Sequence, residues 1–140
     1  MNRRSFGRGL LTFVLASSCI VSTLVDLNGT HLFNPAWHPH AVFHDALMLL
    51  FLAAVTAIAL WMLWRKDGDR RVAVLVATLV PIAFWTPFFY ITWILPNSSL
   101  NAFDEPLPKL AGITMYPNVI IAFVMCLLAV VGYRFARAEE

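Results

Sequence analysis

Residues 46–64 read ALMLLFLAAVTAIALWMLW, a run of 19 residues without a charged side chain or a histidine. A helix needs about 20 consecutive apolar residues to cross the hydrocarbon core of a bilayer. Inside lipid, a segment must also satisfy its backbone hydrogen bonds internally, as a helix does. This run therefore predicts a membrane-spanning helix, and the rest of the chain can be interpreted outward from it.

Three other stretches are equally free of charged residues and histidine: 9–25, 72–95 and 110–133. We expect an all-α integral membrane bundle of four transmembrane helices, over residues of about 9–27, 40–64, 72–95 and 113–135. The composition agrees, since 60% of the residues are apolar, 13% are charged and the mean hydropathy is +0.73. Residues 1–140 are expected to form this single transmembrane domain, with no room left for a separate soluble one.

The first stretch is the shortest, and it follows Arg3, Arg4 and Arg8. A cleaved signal peptide has the same appearance. The A-x-A-like cleavage site is poor, however, and three further spans continue the bundle. We therefore expect an uncleaved first helix.

Basic residues distinguish the two sides of the expected bundle. Nine of the ten lysines and arginines flank one side, and only Lys109 falls on the other. Lys and Arg collect on the cytoplasmic side of membrane proteins. We therefore expect a protein of a cell inner or plasma membrane with both termini on the cytoplasmic side. Segments 26–44 and 96–112 then face the opposite side. Besides Lys109, their ionisable residues are Asp26, Asp104, Glu105 and all four histidines.

Several classes of function lack support in the sequence. A net charge of +2, divided among short loops, makes no nucleic-acid footprint. Cys19 and Cys126 both lie in apolar runs, so no disulfide framework is expected. There is no phosphate-binding loop, no dinucleotide fingerprint and no hydrolase signature.

The four histidines are His31, His38, His40 and His44, within 14 residues of one another. Pro39 fits the first turn of the second helix, which places His40 and His44 one turn apart on the same face. This spacing suits two metal ligands on one helix. His44 is thus the candidate cofactor ligand, and His40 with His44 the candidate metal ligands. The alternative is an interfacial histidine that only makes hydrogen bonds.

Asp26 ends the first expected helix on the histidine side. An ionisable group at that depth is a candidate for function, and we expect Asp26 to be a catalytic or tuning group with His44 as its partner. Asp45 lies about 100° around the helix from His44 and is expected to cap the first turn. Both carboxylates also fit solvated helix ends.

A substrate pocket is expected beneath the histidine segment. Pro81 and Pro87 each remove an amide donor from the third helix, which predicts a kink, and broken membrane helices often border cavities. Tyr90 is the candidate catalytic residue there, because a phenol can donate a proton to a substrate oxygen. A packing kink and an aromatic belt are the alternative interpretations. The other side chains expected to line the pocket are Trp85, Thr86, Tyr116 and Asn118.

Residues 28–44 carry the pattern N-x-T-H…N-P-x-W-x-P-H-x-x-F-H. This pattern resembles that of an uncharacterised family of small bacterial and fungal four-helix membrane proteins. The resemblance implies a fold but no chemistry.

A second, more distant resemblance covers residues 10–137. The order of helices, the histidine that opens helix two, the Trp…Phe-Tyr pair on helix three and the Ala-Val-Val-Gly-Tyr ending of helix four resemble styrene oxide isomerase. That resemblance implies a trimeric membrane protein with haem b, in which His44 would ligate the iron and Tyr90 would face an epoxide substrate. Leu50 departs from the pattern, since a catalytic asparagine is expected at its position.

The leading hypothesis is a membrane-embedded, isomerase-like enzyme acting on a small hydrophobic substrate, with haem b or a divalent metal as cofactor. A non-catalytic lipid-binding or ligand-binding membrane protein, or an accessory subunit of a membrane complex, is the alternative. The expected partners are the lipid bilayer, a small apolar ligand or substrate and a second copy of the chain, with no nucleic acid.

Overall fold

The computed structural model describes residues 2–101 and 106–137, so Asp104 and Glu105 lie outside the described residues. The long helices are α1 (Arg3–Asp26), α2 (Pro39–Trp64), α3 (Arg70–Trp85) and α5 (Pro117–Ala136). Between α3 and α5 lie a 3₁₀ helix (Thr86–Phe89), the short helix α4 (Ile91–Ile94) and the strands β1 (Lys109–Leu110) and β2 (Ile113–Thr114).

Four segments of the described chain are long and apolar enough to cross a membrane: Arg3–Asp26, Pro39–Trp64, Arg70–Phe89 and Pro117–Ala136. Only 28–33% of the most apolar window of each segment is buried inside the bundle. Large side chains such as Leu24, Phe51 and Trp61 therefore point outward, where lipid is the solvent that stabilises them. The expected all-α membrane bundle is confirmed.

The four long helices form a ring in which each runs antiparallel to the next. α1 contacts α2, α3 and α5, while α3 contacts α2 and α5. The N-termini of α1 and α3 and the C-termini of α2 and α5 meet at one end, which we call the basic end. The opposite end carries residues 27–38, 86–101 and 106–116, and we call it the histidine end.

α1 and α5 approach each other closely near the basic end. Gly7 and Gly132 are both buried there. A Cβ atom added at Gly7 would overlap the backbone of Phe135 and Ala136, and one added at Gly132 would lie 2.9 Å from the side chain of Leu11. Small residues let membrane helices approach closely enough for dispersion forces to hold them together. The two glycines thus fix the seating of α1 on α5.

Arg8 joins α1 to the end of α2. Its guanidinium donates a hydrogen bond to the carbonyl of Leu63 at 2.7 Å and lies 4.2 Å from the ring centroid of Trp64. The indole N–H of Trp64 in turn donates to Thr12 Oγ1 at 2.8 Å. These contacts satisfy a carbonyl that the helix itself leaves unpaired at its C-terminus.

The third helix ends earlier than the sequence led us to expect. An α-helix over 72–95 was expected, but α3 ends at Trp85 and the backbone continues as a 3₁₀ helix through Phe89. Pro87 lacks the amide hydrogen that would continue the helical ladder. The tighter turns satisfy the backbone instead, with the amide of Tyr90 donating to the carbonyl of Pro87 at 3.0 Å.

The last helix begins later than expected, at Pro117 instead of 113. Residues 109–114 form a small hairpin in which Lys109 pairs with Thr114 and Leu110 with Ile113. Its two turn residues, Ala111 and Gly112, both have positive φ angles, of 51° and 82°, as a tight two-residue hairpin turn requires.

We expect Gly7→Ala to lower the free energy of unfolding by about 1–3 kcal/mol, because the added methyl group overpacks the α1–α5 contact. The matched control is Gly9→Ala in the same helix, where an added Cβ meets nothing within 4 Å. Since alanine is the better helix former, this control should stabilise the protein by up to about 1 kcal/mol. Thermal unfolding followed by circular dichroism in detergent measures both changes. Effects of the same sign and size would contradict the close approach of α1 and α5.

Candidate functional site

The segment that links α1 to α2 is ordered by its own side chains. Asn28 Oδ1 accepts hydrogen bonds from the amide of Thr30 at 2.8 Å and from its hydroxyl at 2.6 Å. That hydroxyl also lies 2.8 Å from Nδ1 of His31. The imidazole of His31 packs edge-on against Trp37, with 5.8 Å between ring centroids. His31 is therefore held in one orientation over the end of α1.

His38 begins α2. Its Nδ1 atom accepts a hydrogen bond from the amide of His40 at 3.2 Å, and Pro39 follows at the first helical position. Pro39 needs no hydrogen-bond partner for its nitrogen, so it suits this place. His38 thus acts as a helix cap, and His40 and His44 follow on the first two turns.

His40 and His44 form a direct pair on an exposed face of α2. Their Nε2 atoms are 3.0 Å apart, and their rings meet edge to face, with centroids 4.4 Å apart. Phe43 stacks parallel to His40 at 6.1 Å and packs edge-on against His44 at 5.4 Å. One imidazole of the pair donates a proton that the other accepts, so the two rings can share one proton or one metal ion.

Asp26 faces His31 instead of the expected partner His44. Its carboxylate lies 3.8 Å from Nε2 of His31, and it interacts electrostatically with Asp45. Oδ2 of Asp45 is buried without a hydrogen-bond partner among the described residues. His44 already pairs with His40, so the histidine end contains two polar groupings: the His40–His44 pair and the Asp26–His31–Asp45 cluster.

Trp85 lies inside the bundle, where it forms part of the core. It is 4% exposed and packs with Val14, Ala122, Met125 and Ala129. Its indole N–H donates to Ser18 Oγ at 2.8 Å, and the Ser18 hydroxyl donates to the carbonyl of Val14 at 2.7 Å. The sequence did not predict this buried link between α3 and α1, because neither uncharged run shows which of its side chains faces another helix.

The remaining pocket candidates lie around the connection from α3 to α5. Thr86 caps the end of α3, and Tyr90 is 40% exposed between the 3₁₀ helix and α4. Tyr116 is the residue before the first turn of α5. Asn118 donates from Nδ2 to the carbonyl of Leu100 at 2.9 Å and accepts from the amide of Val119 at 3.0 Å. The contacts of Asn118 tie this loop to α5.

The architecture is that of an α-helical membrane protein with a histidine-rich segment at one end of its bundle. The chain belongs to a family of unknown function (DUF6640), which matches residues 12–139. No curated protein and no solved structure matches it. The family agrees with the expected resemblance to uncharacterised proteins, while the resemblance to styrene oxide isomerase stays a prediction.

We expect Ser18→Ala to destabilise the bundle by about 1 kcal/mol, because the buried indole N–H of Trp85 loses its acceptor. Ser17→Ala is the control, since the neighbouring hydroxyl donates to the carbonyl of Phe13 in its own helix. A double-mutant cycle with Trp85→Phe, measured by unfolding in detergent, should give a coupling energy of similar size. A coupling energy near zero would show that the hydrogen bond contributes nothing to stability.

Proposed function

We propose that the protein binds a divalent transition-metal ion through His40 and His44 and uses it to act on a small hydrophobic substrate from the bilayer. The observation that carries this proposal is the 3.0 Å separation of the two Nε2 atoms. Both imidazoles are exposed, so an ion can reach them from outside the bundle. Neutral imidazole nitrogen is a ligand that zinc, copper, iron and nickel ions all accept.

The separation of the two nitrogens fits a single bound ion. Two imidazole nitrogens at about 2.1 Å from one metal ion are about 3.0 Å apart when the angle at the metal is about 90°, and about 3.4 Å apart at a tetrahedral angle. The pair in α2 matches the smaller value. The ion would replace the hydrogen bond between His40 and His44, and each imidazole would turn so that its Nε2 lone pair points at the ion.

Haem b, which the resemblance implies, fits this pair less well. His40 already pairs with His44 on the same helix face, and the resemblance places only His44 at the iron. Haem would therefore be held by His44 alone, and His40 would have to turn away from it.

A metal held by this pair keeps open positions. Among the residues that the structure describes, no group of three or more His, Cys, Asp or Glu side chains could hold a metal ion. Open positions are typical of catalytic metal sites, and a metal there supplies Lewis-acid chemistry to a substrate oxygen. Asp26 and Tyr90 are the candidates for proton acceptor and donor, and Thr86, Tyr116 and Asn118 for contacts to the substrate.

A non-catalytic role is the second candidate, and the apolar surface beside the pair favours it. Phe43 is 56% exposed and contacts both imidazoles, and Leu47 and Phe51 continue the exposed surface along α2. A second copy of the chain, or a subunit of a larger complex, would bury this surface and supply the missing metal ligands. The protein would then be a ligand-binding or accessory subunit.

We expect detergent-purified protein without a polyhistidine tag to bind Zn²⁺, and His40→Ala and His44→Ala each to weaken binding at least about tenfold. Removing a metal ligand should weaken metal binding at least as much as removing a residue that hydrogen-bonds to a ligand, which costs about tenfold or more. His38→Asn is the control, because asparagine keeps a side-chain acceptor at the helix cap. Isothermal titration calorimetry measures the affinity, and the melting temperature verifies that each variant folds.

The His40→Ala and His44→Ala variants also distinguish a divalent ion from haem, and the metal stoichiometry distinguishes a catalytic site from one shared between chains. A divalent ion held by the pair is lost with either histidine, whereas haem held by His44 alone survives His40→Ala and absorbs in the Soret region. A stoichiometry of one ion per chain would indicate that water or substrate completes the coordination of the metal. A stoichiometry of one ion per two chains would indicate a site shared between two copies. Wild-type protein that binds neither zinc nor haem would refute the proposal.

We propose further that both termini face the cytoplasm and that the histidine end faces the opposite side of a cell inner or plasma membrane. The basis is the nine-to-one distribution of basic residues. In protein with Cys19 and Cys126 replaced by alanine, Ser99→Cys should react with a membrane-impermeant maleimide in intact cells. Asp67→Cys, in the α2–α3 connection, should react only after permeabilisation. The reverse pattern would place the histidine end in the cytoplasm.

A further inference from the structure

A groove lined by four arginines opens at the basic end. Its volume is about 570 Å³. Arg4 comes from the first turn of α1, Arg70 and Arg71 from the start of α3, and Arg137 from the residue that ends α5. Four cations from three separate helices therefore converge on one space, although they are far apart in the sequence.

The electrostatic surroundings of the groove favour an anion. None of the described residues that line it is acidic. The nearby carboxylate of Asp69 accepts hydrogen bonds from the amides of Arg71 and Val72, at 2.7 and 3.2 Å, and so caps α3. The positive N-termini of α1 and α3 and the negative C-termini of α2 and α5 all lie at this end, so the arginine side chains, and not the helix dipoles, give the groove its positive charge.

The inner wall of the groove is lined by Tyr133, Val74 and Ala136. Because Val74 and Ala136 are only 2% and 4% exposed, the ring of Tyr133 presents most of the apolar surface of these three. Tyr133 completes the wall, with its ring 5.3 Å from the guanidinium carbon of Arg137 and its hydroxyl 3.4 Å from Nη1 of the same residue. The groove thus combines a cationic rim with an apolar wall, which suits a ligand that has one charged and one apolar part.

The groove lies at the depth of lipid headgroups. Two candidate spans begin at Arg3 and Arg70, and another ends at Ala136, so the rim is at the level where the hydrocarbon core gives way to phosphates. Basic pockets between membrane helices at this level bind anionic headgroups. A soluble phosphate compound would match the rim but would not place an apolar group against the ring of Tyr133.

We propose that this groove binds the phosphate group of an anionic phospholipid, with the guanidinium groups of Arg70 and Arg137 on the phosphate and the ring of Tyr133 against the glycerol and upper acyl chain. Arginine suits this role, because its planar guanidinium can give two parallel hydrogen bonds to phosphate oxygens. The site lies at the opposite end of the bundle from His40 and His44 and is independent of any metal bound there.

The test compares two double variants with the same change in net charge. Arg70→Gln with Arg137→Gln removes two cations from the groove. Lys66→Gln with Arg134→Gln removes two cations outside it, one from the connection that precedes Arg70 and one from the last turn of α5. Native mass spectrometry of full-length protein in detergent, titrated with phosphatidylglycerol or phosphatidylcholine, gives the affinity for the first bound lipid. Melting temperatures establish that both variants fold.

We expect the wild type to bind phosphatidylglycerol at least about tenfold more tightly than phosphatidylcholine. The groove variant should lose this preference, and the control should keep it within about twofold. Equal losses in both variants would overturn the proposal, because they would indicate general surface charge. Equal binding of the two lipids would also overturn it. Displacement of phosphatidylglycerol by inorganic phosphate at micromolar concentration would assign the groove to a soluble phosphate compound and overturn the lipid assignment.

Discussion

The close approach of α1 and α5 at Gly7 and Gly132 is the constraint on which the rest of the bundle depends. In lipid, apolar side chains gain little by leaving one hydrocarbon surface for another, so helices associate through close packing and internal hydrogen bonds. The two glycines let the backbones meet at Ala136. With α1 seated in this way, Leu11 and Leu15 become fully buried against residues of α2, α3 and α5.

Polar side chains then fix the remaining helices around α1. Arg8 holds the end of α2 through the carbonyl of Leu63, and Ser18 holds α3 through the indole of Trp85. Each link satisfies a polar group that lipid could not. α1 therefore organises the bundle. A small residue on it packs closely against α5, and its polar side chains form hydrogen bonds with α2 and α3.

The two ends of the bundle differ in chemistry because different residues lie in the connections and helix ends that meet there. At the histidine end, one short connection concentrates imidazoles and carboxylates, and two of the imidazoles share a helix face. At the basic end, three helix ends and their flanking residues bring cations together around an apolar wall. We propose that the first binds a metal ion and that the second binds the phosphate group of a lipid.

The sequence by itself determined the four spans and the His40–His44 pair. The length of an apolar run is set by the thickness of the bilayer, and the i, i+4 relation is set by the geometry of one helix, so both are local properties. Only the tertiary structure decided that Asp26 faces His31 instead of His44, and that Trp85 packs in the core and donates a hydrogen bond to Ser18. Those contacts depend on how each helix is rotated and how closely its neighbour approaches. Rotation and distance are set by small residues and hydrogen bonds on other helices, which no uniform apolar run reveals.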